Sequence, residues 1–260
     1  MLDYVASKSE AVRAKKRRKV FFYVGILTLI VLVVGFFFLM HSTAFQIQDI
    51  RLPDTHSIAQ SDVQRHVEEF FAKQSAFTTW LFGNRNIFAL KSEKLSASLL
   101  ETFPPIKDVQ IEKGIRDRSL SINITEREKF GLWCATSCVW FDENGIAFQD
   151  GLQTEGNLIY RIHDLSGKAV QLGTHIFPEY GLQNLFHIYD FLEQINWTTK
   201  TLILENEILE ELRTPSIQGS PVIYFNLTNN PLYAVDSVRD IQTSVTEYID
   251  LRVESRIYYK

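Results

Sequence analysis

Hydrophobic residues follow three patterns along this chain of 260 residues. An unbroken apolar run covers residues 20–40, and as a helix it would extend about 31 Å, enough to cross the hydrocarbon core of a bilayer. Apolar residues three or four positions apart predict amphipathic helices at 60–75, 92–103, 178–197 and within 232–246. Alternating or β-branched apolar residues predict strands, and these cover 45–52, 107–113, 119–125, 130–135, 139–141, 146–148, 156–162, 201–204, 208–212, 221–227 and 249–253, with a short run at 256–259.

Local signals mark where several of these elements begin and end. Ser61 and Ser92 are candidate N-caps of the first two amphipathic helices, and Pro104-Pro105 ends the second of them. The connection between these helices, SAFTTWLFGNRN at 75–86, is predicted to be irregular. Asn144-Gly145 predicts a tight turn with positive φ.

The order of these elements divides the chain into four parts. Residues 1–19 form a basic tail, 20–40 a transmembrane helix, 45–126 a β-α-α-β-β unit, and 127–260 a mainly β domain with helices. The predicted fold class is therefore α+β with a single N-terminal membrane anchor. The sequence contains no low-complexity segment or long linker between the two extramembrane units.

The charges are distributed unevenly along the chain. Residues 1–40 carry seven basic and two acidic side chains, whereas the remaining residues carry 20 basic and 29 acidic ones. The basic cluster at 15–19 abuts the apolar run, so the positive-inside rule predicts that residues 1–19 are cytoplasmic and that the rest lies outside. An uncleaved anchor is favoured over a cleaved signal peptide, because the run is longer than a signal core, although Ser42-Thr43-Ala44 would suit a peptidase. Nucleic acid is excluded as a partner of the acidic part, since phosphate binding requires clustered Lys and Arg.

The two cysteines of the chain lie close together in the segment GLWCATSCVWF. Cys134 and Cys138 match neither a zinc signature, because a second ligand pair is missing, nor the C-x-x-C spacing of redox sites. In an extracytoplasmic domain, two cysteines that face each other across a three-residue hairpin loop predict a disulfide. The alternative is a pair of reduced thiols within a strand.

Residues for catalysis or metal binding are not grouped in the sequence. The six histidines are scattered, without an H-E-x-x-H motif or a metal-ligand pair, and no G-x-S-x-G or phosphate-binding glycine loop is present. We therefore expect no catalytic, metal or cofactor site. A membrane-anchored cell-envelope enzyme stays the weaker alternative.

Several segments, taken in order, resemble one family. A basic tail and one anchor precede a β-α-α-β-β unit that ends FPPIKDVQIEKGIRDRSLSINITERE; Gly131-Leu132-Trp133 and FDENGIAF follow, and the sequence closes YIDLRVESRIYYK. This order, over nearly the whole chain, resembles the FtsQ/DivIB family of bacterial cell-division proteins, whose β-α-α-β-β unit is called a POTRA domain. The pairing of ITERE with IDLR is the most specific part of the resemblance.

The resemblance implies a function. Members of that family are non-enzymatic, single-pass scaffolds of the inner membrane at the division septum. They bind the small coiled-coil membrane proteins FtsB and FtsL (DivIC in the DivIB setting), recruit other divisome proteins through the POTRA domain, and help to control septal peptidoglycan synthesis. Their lipid contact is made by the anchor, here residues 20–40.

The family's contact region maps onto the last residues of this sequence. It implies partner binding by Arg252, Val253 and Ser255, with Tyr258 and Tyr259 as aromatic contacts. A terminal strand at 249–253 with a neighbour on one side only would leave an open edge that a partner's strand can join, and Arg252 could pair with a carboxylate of the partner. The competing interpretation is that Ile249, Leu251 and Val253 only close the core; both can hold on opposite faces of the strand.

Two further alternatives concern the cellular system that the chain serves and the compartment in which it folds. A POTRA-containing accessory of a secretion system would share the first unit, but the single N-terminal anchor and the IDLR close argue against it. The N-x-T sequons at Asn123, Asn196 and Asn226 would matter in a eukaryotic glycoprotein. Since they fall in strand-rich sequence, we interpret them as chance.

Overall fold

The chain has a mixed α+β fold with one N-terminal apolar helix and one large mixed sheet. A computed structural model describes residues 2–152, 158–206 and 208–260, with side chains from Arg18 onward except at position 206. The chain divides into two compact units, Met1–Leu99 with Val109–Ile124 and Leu100–Asp108 with Thr125–Lys260. Each unit is built around its own sheet.

The first helix is long and apolar enough to span a membrane. Helix α1 covers Leu2–His41, and its stretch Arg18–His41 has a mean hydropathy of 2.8 with no buried side chain. The basic side chains of the tail up to Arg17 lie outside the described residues. The predicted anchor at 20–40 falls within this helix.

A three-stranded sheet organises the first unit. Its order is β1-β3-β2, with β1 parallel to β3 and Asp49 aligned with Ser119. The strands and helices are β1 (Asp49–Arg51), α2 (Gln60–Ala72), α3 (Ala76–Phe82), α4 (Ser92–Thr102), β2 (Ile106–Gly114) and β3 (Ser119–Glu126). The predicted apolar stripes are buried, as shown by Val63, Val67, Phe71, Leu95, Leu99, Leu120 and Ile122.

The structure corrects three details of the predicted helices. The N-cap of α2 is Ala59 and not Ser61, and α4 starts at Ser92, which is therefore its first residue and not its cap. The connection predicted to be irregular contains α3. The hydroxyl of Ser75 caps this helix by accepting the N–H of Thr78 at 3.2 Å. A capping bond of this kind is not visible as a hydrophobic period in the sequence.

A nine-stranded mixed sheet organises the second unit. Its order is β12-β11-β10-β9-β8-β7-β4-β5-β6, with parallel pairs at β10–β11, β4–β7 and β7–β8. The strands are β4 (Gly131–Cys134), β5 (Cys138–Phe141), β6 (Ala147–Gly151), β7 (Tyr160–Asp164), β8 (Thr201–Asn206), β9 (Glu211–Arg213), β10 (Val222–Asn226), β11 (Tyr248–Asp250) and β12 (Tyr258–Tyr259). Two helices, α5 (Glu179–Gln194) and α6 (Val235–Ile241), complete the unit.

The two faces of this sheet carry cores of different size. Consecutive residues Leu132 and Trp133 belong to different apolar clusters, because successive side chains of a strand point to opposite faces. The larger cluster joins Trp133 to one side of α5 and α6 and to the strands next to them, through Ile162, Leu185, Ile188, Phe191, Leu202, Leu212, Phe225, Val238 and Ile249. The smaller cluster surrounds Leu132 and the two cysteines.

Several strands differ from the predicted ones. The strand predicted at 156–162 is β7, which starts at Tyr160, and positions 156 and 157 lie outside the described residues. The strand predicted at 208–212 is shifted to Glu211–Arg213. At the predicted Asn-Gly turn, only Gly145 has a positive φ, at 72°. Asp142 orders this turn, because its Oδ1 accepts the N–H groups of Asn144 and Ile146 at 3.0 and 2.9 Å.

Candidate partner-binding edge of the large sheet

One edge of the large sheet is formed by β12. This strand pairs antiparallel with β11, with Ile249 opposite Tyr259 and Asp250 opposite Tyr258. Strand β11 has β10 on its other side, so the prediction that the strand at 249–253 forms the edge is wrong. The segment after Arg256 folds back and takes the edge position, and among the described residues no further strand pairs with it.

The backbone of Tyr259 faces the open side of β12. Tyr248 and Lys260 exchange N–H···O bonds in both directions, at 3.4 and 3.2 Å. Residues of an antiparallel pair alternate between bonded and non-bonded positions, so Tyr258 is bonded to β11 and Tyr259 is not. The N–H and C=O of Tyr259 therefore point away from the sheet, where an added strand would need them.

The predicted site residues differ in exposure. Val253, Tyr258 and Tyr259 have exposed fractions of 47, 46 and 57%. In contrast, Ile249 and Leu251 are 0 and 1% exposed, within the core. The alternative that Val253 helps to close the core is thus wrong, since β11 ends at Asp250 and Val253 lies in the loop that follows.

The guanidinium of Arg252 already has carboxylate partners within the chain. Its Nε and Nη2 donate to the two oxygens of Asp250 at 3.0 and 2.7 Å, and its Nη1 donates to Glu211 at 3.1 Å. Its central carbon lies 5.1 Å from the ring centroid of Tyr224 on the intervening strand. These contacts give Arg252 a structural role, in which it links β11 to β9 across β10. Its pairing with a carboxylate of a partner stays a prediction.

The same contacts shift the pKa values of this ion pair. Burial alone would raise the pKa of Asp250, but the hydrogen bonds and the positive charge of Arg252 outweigh burial and hold this pKa below its usual range. The hydrogen bond to Asp250, followed by the charges of Asp250 and Glu211, raises the pKa of Arg252 above its usual value. Both groups are thus charged at neutral pH.

Two side chains that the sequence did not indicate fasten the loop at 252–257. The hydroxyl of Tyr233 is shared between the carbonyl oxygens of Val253 and Arg256, at 3.2 and 2.8 Å. The amide of Asn229 donates to the carbonyl of Arg252 at 2.6 Å. Burial is the main cause that raises the pKa of Tyr233, so its hydroxyl stays a donor. The Asn-Pro turn at 230–231 is a visible turn signal, but it does not indicate which loop the next tyrosine contacts.

Ser255 lies at the tip of this loop in a left-handed conformation. Its φ is 58°, and the N–H of Arg256 bonds to the carbonyl of Val253 at 3.2 Å, which closes a four-residue turn. A positive φ at the third position of such a turn favours glycine. Ser255 therefore shapes the loop through its backbone, and its side chain is exposed.

The cysteines lie near the opposite edge of the sheet. Cys134 and Cys138 are directly opposite in the β4–β5 hairpin and are joined by a disulfide. Next to this hairpin, the edge strand β6 is covered at its start. Ala147 donates to Thr174 at 3.0 Å and accepts from Gly173 at 2.7 Å.

A cavity of about 570 Å³ lies beside the start of α5. It is lined by apolar and polar side chains, including Phe177, Leu182, His175 and Glu179. Within the described ranges, no group of three or more His, Cys, Asp or Glu side chains is placed to hold a metal ion.

No protein-family model matches the chain, and no curated protein is similar to it.

Proposed function

We propose that this chain is a non-enzymatic, single-pass scaffold of the bacterial division machinery, of the FtsQ/DivIB type. Its β12 edge would bind a small coiled-coil membrane protein of the FtsB/FtsL kind. The observation that carries the proposal is an edge strand with outward main-chain groups on Tyr259 and exposed aromatic rings on Tyr258 and Tyr259. Edge strands of this kind are the usual template for strand addition.

The bound partner would extend the sheet by one strand. Its main chain would bond to the N–H and C=O of Tyr259, and the rings of Tyr258 and Tyr259 would contact its side chains on opposite faces. Tyrosine supplies much contact area at a low cost in conformational entropy, which suits the centre of an interface. Arg252 and Tyr233 would act as positioning residues that hold the loop before β12.

The remaining parts of the proposal concern topology and recruitment. The basic residues before the apolar span at 20–40 favour a cytoplasmic N-terminus and an extracytoplasmic position for both units, in the plasma membrane at the division septum. The first unit would be the POTRA domain, and the parallel pairing of β1 with β3 around two longer helices supports this. It would contact other divisome proteins.

A photo-cross-linkable residue at position 259 tests the proposal in dividing cells. The matched control stands at Asp150, which is exposed on the edge strand at the other end of the same sheet. We expect position 259, and not position 150, to capture one small coiled-coil membrane protein. Depletion of the chain should produce filaments without septa.

Two results would overturn the proposal. Equal capture from both positions, or no capture from position 259 in a folded protein, would remove β12 as the binding edge. Normal septation after depletion, together with an export defect, would replace the division role with that of a secretion accessory.

A further inference from the structure

A short helix of the first unit exposes large aromatic side chains. Phe77 and Trp80 of α3 are 70 and 63% exposed, and their ring centroids lie 6.3 Å apart. Phe88, in the segment that follows, is 52% exposed and lies 5.4 Å from Phe45. A group of exposed aromatic rings is rare on a surface that only meets water.

This aromatic surface continues directly into the apolar surface of α1. The ring of Trp80 lies 5.6 Å from that of Phe37, and Phe37 belongs to the last turn of the apolar span. Met40, at the end of the span, is about 4.5 Å further along the helix axis. With the apolar span in a bilayer, Trp80 would thus lie at the depth of the boundary between acyl chains and headgroups, where tryptophan is enriched in membrane proteins.

The end of α1 is fixed to the same unit by hydrogen bonds. Asn86 is buried and donates to the carbonyl of Met40 at 2.9 Å. Gln46 donates to the carbonyl of His41 at 3.2 Å. These bonds hold α3 beside α1, so α3 must lie near the membrane whenever α1 crosses it.

Basic side chains line a groove beside the start of α3. Lys73, Lys91 and Lys94 line a groove of about 320 Å³ together with Ser75 and Thr78, and none of the described side chains that line it is acidic. Lys73 also forms an ion pair with Glu69, which is long at 3.7 Å and exposed. Lysines in this position suit the phosphate groups of lipids.

We propose that α3 is an interfacial membrane contact, inserted into the leaflet in which α1 ends. Phe77 and Trp80 would lie among the headgroups and the upper acyl chains, and the three lysines would contact anionic lipid phosphates. The occupant of this surface is thus the phospholipid bilayer. The inference goes beyond the proposed function, since it holds whether or not β12 binds a partner.

Fluorescence quenching of the full chain in lipid nanodiscs tests this inference. The nanodiscs contain phospholipids brominated near the headgroup end of the acyl chain, which quench tryptophan on contact. The emission of Trp80 is obtained as the difference between the wild type and Trp80→Phe. We expect the loss of most of this emission. As a matched control, Gln64→Trp in the Trp80→Phe background should keep its emission, because Gln64 is exposed and lies about 14 Å along α2 from Lys73.

Two outcomes would overturn the inference. If brominated lipids left the emission of Trp80 unchanged, the aromatic face would not lie in the bilayer. It would then be a candidate contact for the membrane helix of a partner. Quenching of Gln64→Trp to the same extent would show non-specific contact of the whole unit.

The lysine contacts are tested in the same nanodiscs. Brominated phosphatidylglycerol should quench Trp80 more than brominated phosphatidylcholine at the same mole fraction. The combined variant Lys73→Gln, Lys91→Gln, Lys94→Gln should abolish this difference while retaining the quenching itself. Equal quenching of the wild type by both lipids would overturn the anionic-lipid part.

Discussion

The two edges of the nine-stranded sheet differ in how their outward main-chain groups are covered. At β6, outward main-chain groups of Ala147 are bonded by the segment around Gly173, and the exposed Asp150 adds a charge. At β12, the outward groups of Tyr259 have no further strand beside them among the described residues, and two tyrosines are exposed. Unpaired edges invite pairing with other chains, and charges and covering segments prevent it. The comparison indicates which edge is available for a partner.

The largest effect is expected from proline at position 259. Tyr259→Pro removes an outward N–H that the sheet does not use, so it should abolish partner binding while the fold persists. Tyr259→Ala, the matched control, removes the ring but keeps the N–H, and should weaken binding less. Titration calorimetry with the extracytoplasmic segment of the partner measures both.

Tyr258→Pro sharpens this test. The N–H of Tyr258 belongs to the ladder with β11, so its loss should open the pairing of β11 with β12. This opening would be visible as faster amide exchange at Tyr248 and Lys260, which bond to each other across the pair. If Tyr259→Pro and Tyr259→Ala bound the partner equally well, the main chain of β12 would not form the interface.

The next effect concerns the opposite edge and the disulfide. Closing so short a loop stabilises the folded chain by about 2 kcal/mol in the chain-entropy view. Reduction should therefore lower the free energy of unfolding by up to about that amount, and the loss of protection should be largest at β4, β5 and β6, where the cross-link also limits local opening. Amide exchange with and without reductant measures it, and intact mass after alkylation is the control. Equal loss of protection at Tyr258 would show that the two edges are not independent.

A smaller effect is expected at Tyr233. Tyr233→Phe removes the donor that the carbonyls of Val253 and Arg256 share, at a cost of about 1 kcal/mol. The loop at 252–257 should exchange faster and partner affinity should fall several-fold, whereas β6 should not change. If Tyr233→Phe bound the partner with the affinity of the wild type, binding would not depend on the hydrogen bonds from Tyr233 to the loop. Tyr180→Phe is the control, because its hydroxyl also bonds outside its helix, to Glu210.

The smallest effect is a pH dependence at the β12 edge. The pKa of Asp250 is lowered in the folded chain, so the folded state binds fewer protons there than the unfolded state and is favoured by higher pH. The stabilisation from this ion pair is complete above the ordinary pKa of aspartate, about 3.9. It is lost as the pH falls through the lowered value.

Protection factors across this acidic range test the pH dependence. The amide of Arg252, which bonds to Asp250 at 3.0 Å, should lose protection, and Ala147 at the other edge should not. In Asp250→Asn the dependence should disappear. A parallel loss at both edges would show global acid unfolding instead.

Much of this architecture was predictable because it rests on local periodicity. The stripe from Val63 to Phe71 and the alternation of Leu120 and Ile122 each bury one side of an element, and both were found in the sequence. Helix α3 was missed, because seven residues with a single capping bond carry too little periodic signal.

The edge itself could not be predicted, for a different reason. Which strand is outermost depends on the return of the chain after Arg256 and on bonds such as those from Tyr233 to carbonyls 20 and 23 residues away. Tyr258 and Tyr259 are exposed, and their contact with a partner stays a prediction. The intramolecular partners of Arg252 depend on the juxtaposition of Asp250 and Glu211. Contacts between residues this far apart in the sequence produce no local pattern from which they could be predicted.

The buried side chain of Asn86 has a mechanical consequence. Its amide bonds to the carbonyl of Met40, and its oxygen accepts the N–H of Phe88 at 2.9 Å, so one buried side chain ties the last turn of α1 to the segment that follows α3. A rotation of α1 about its own axis would have to break the bond to Met40 or carry this segment with it. A neighbouring membrane helix that binds one face of α1 would therefore also influence how the first unit is oriented at the bilayer.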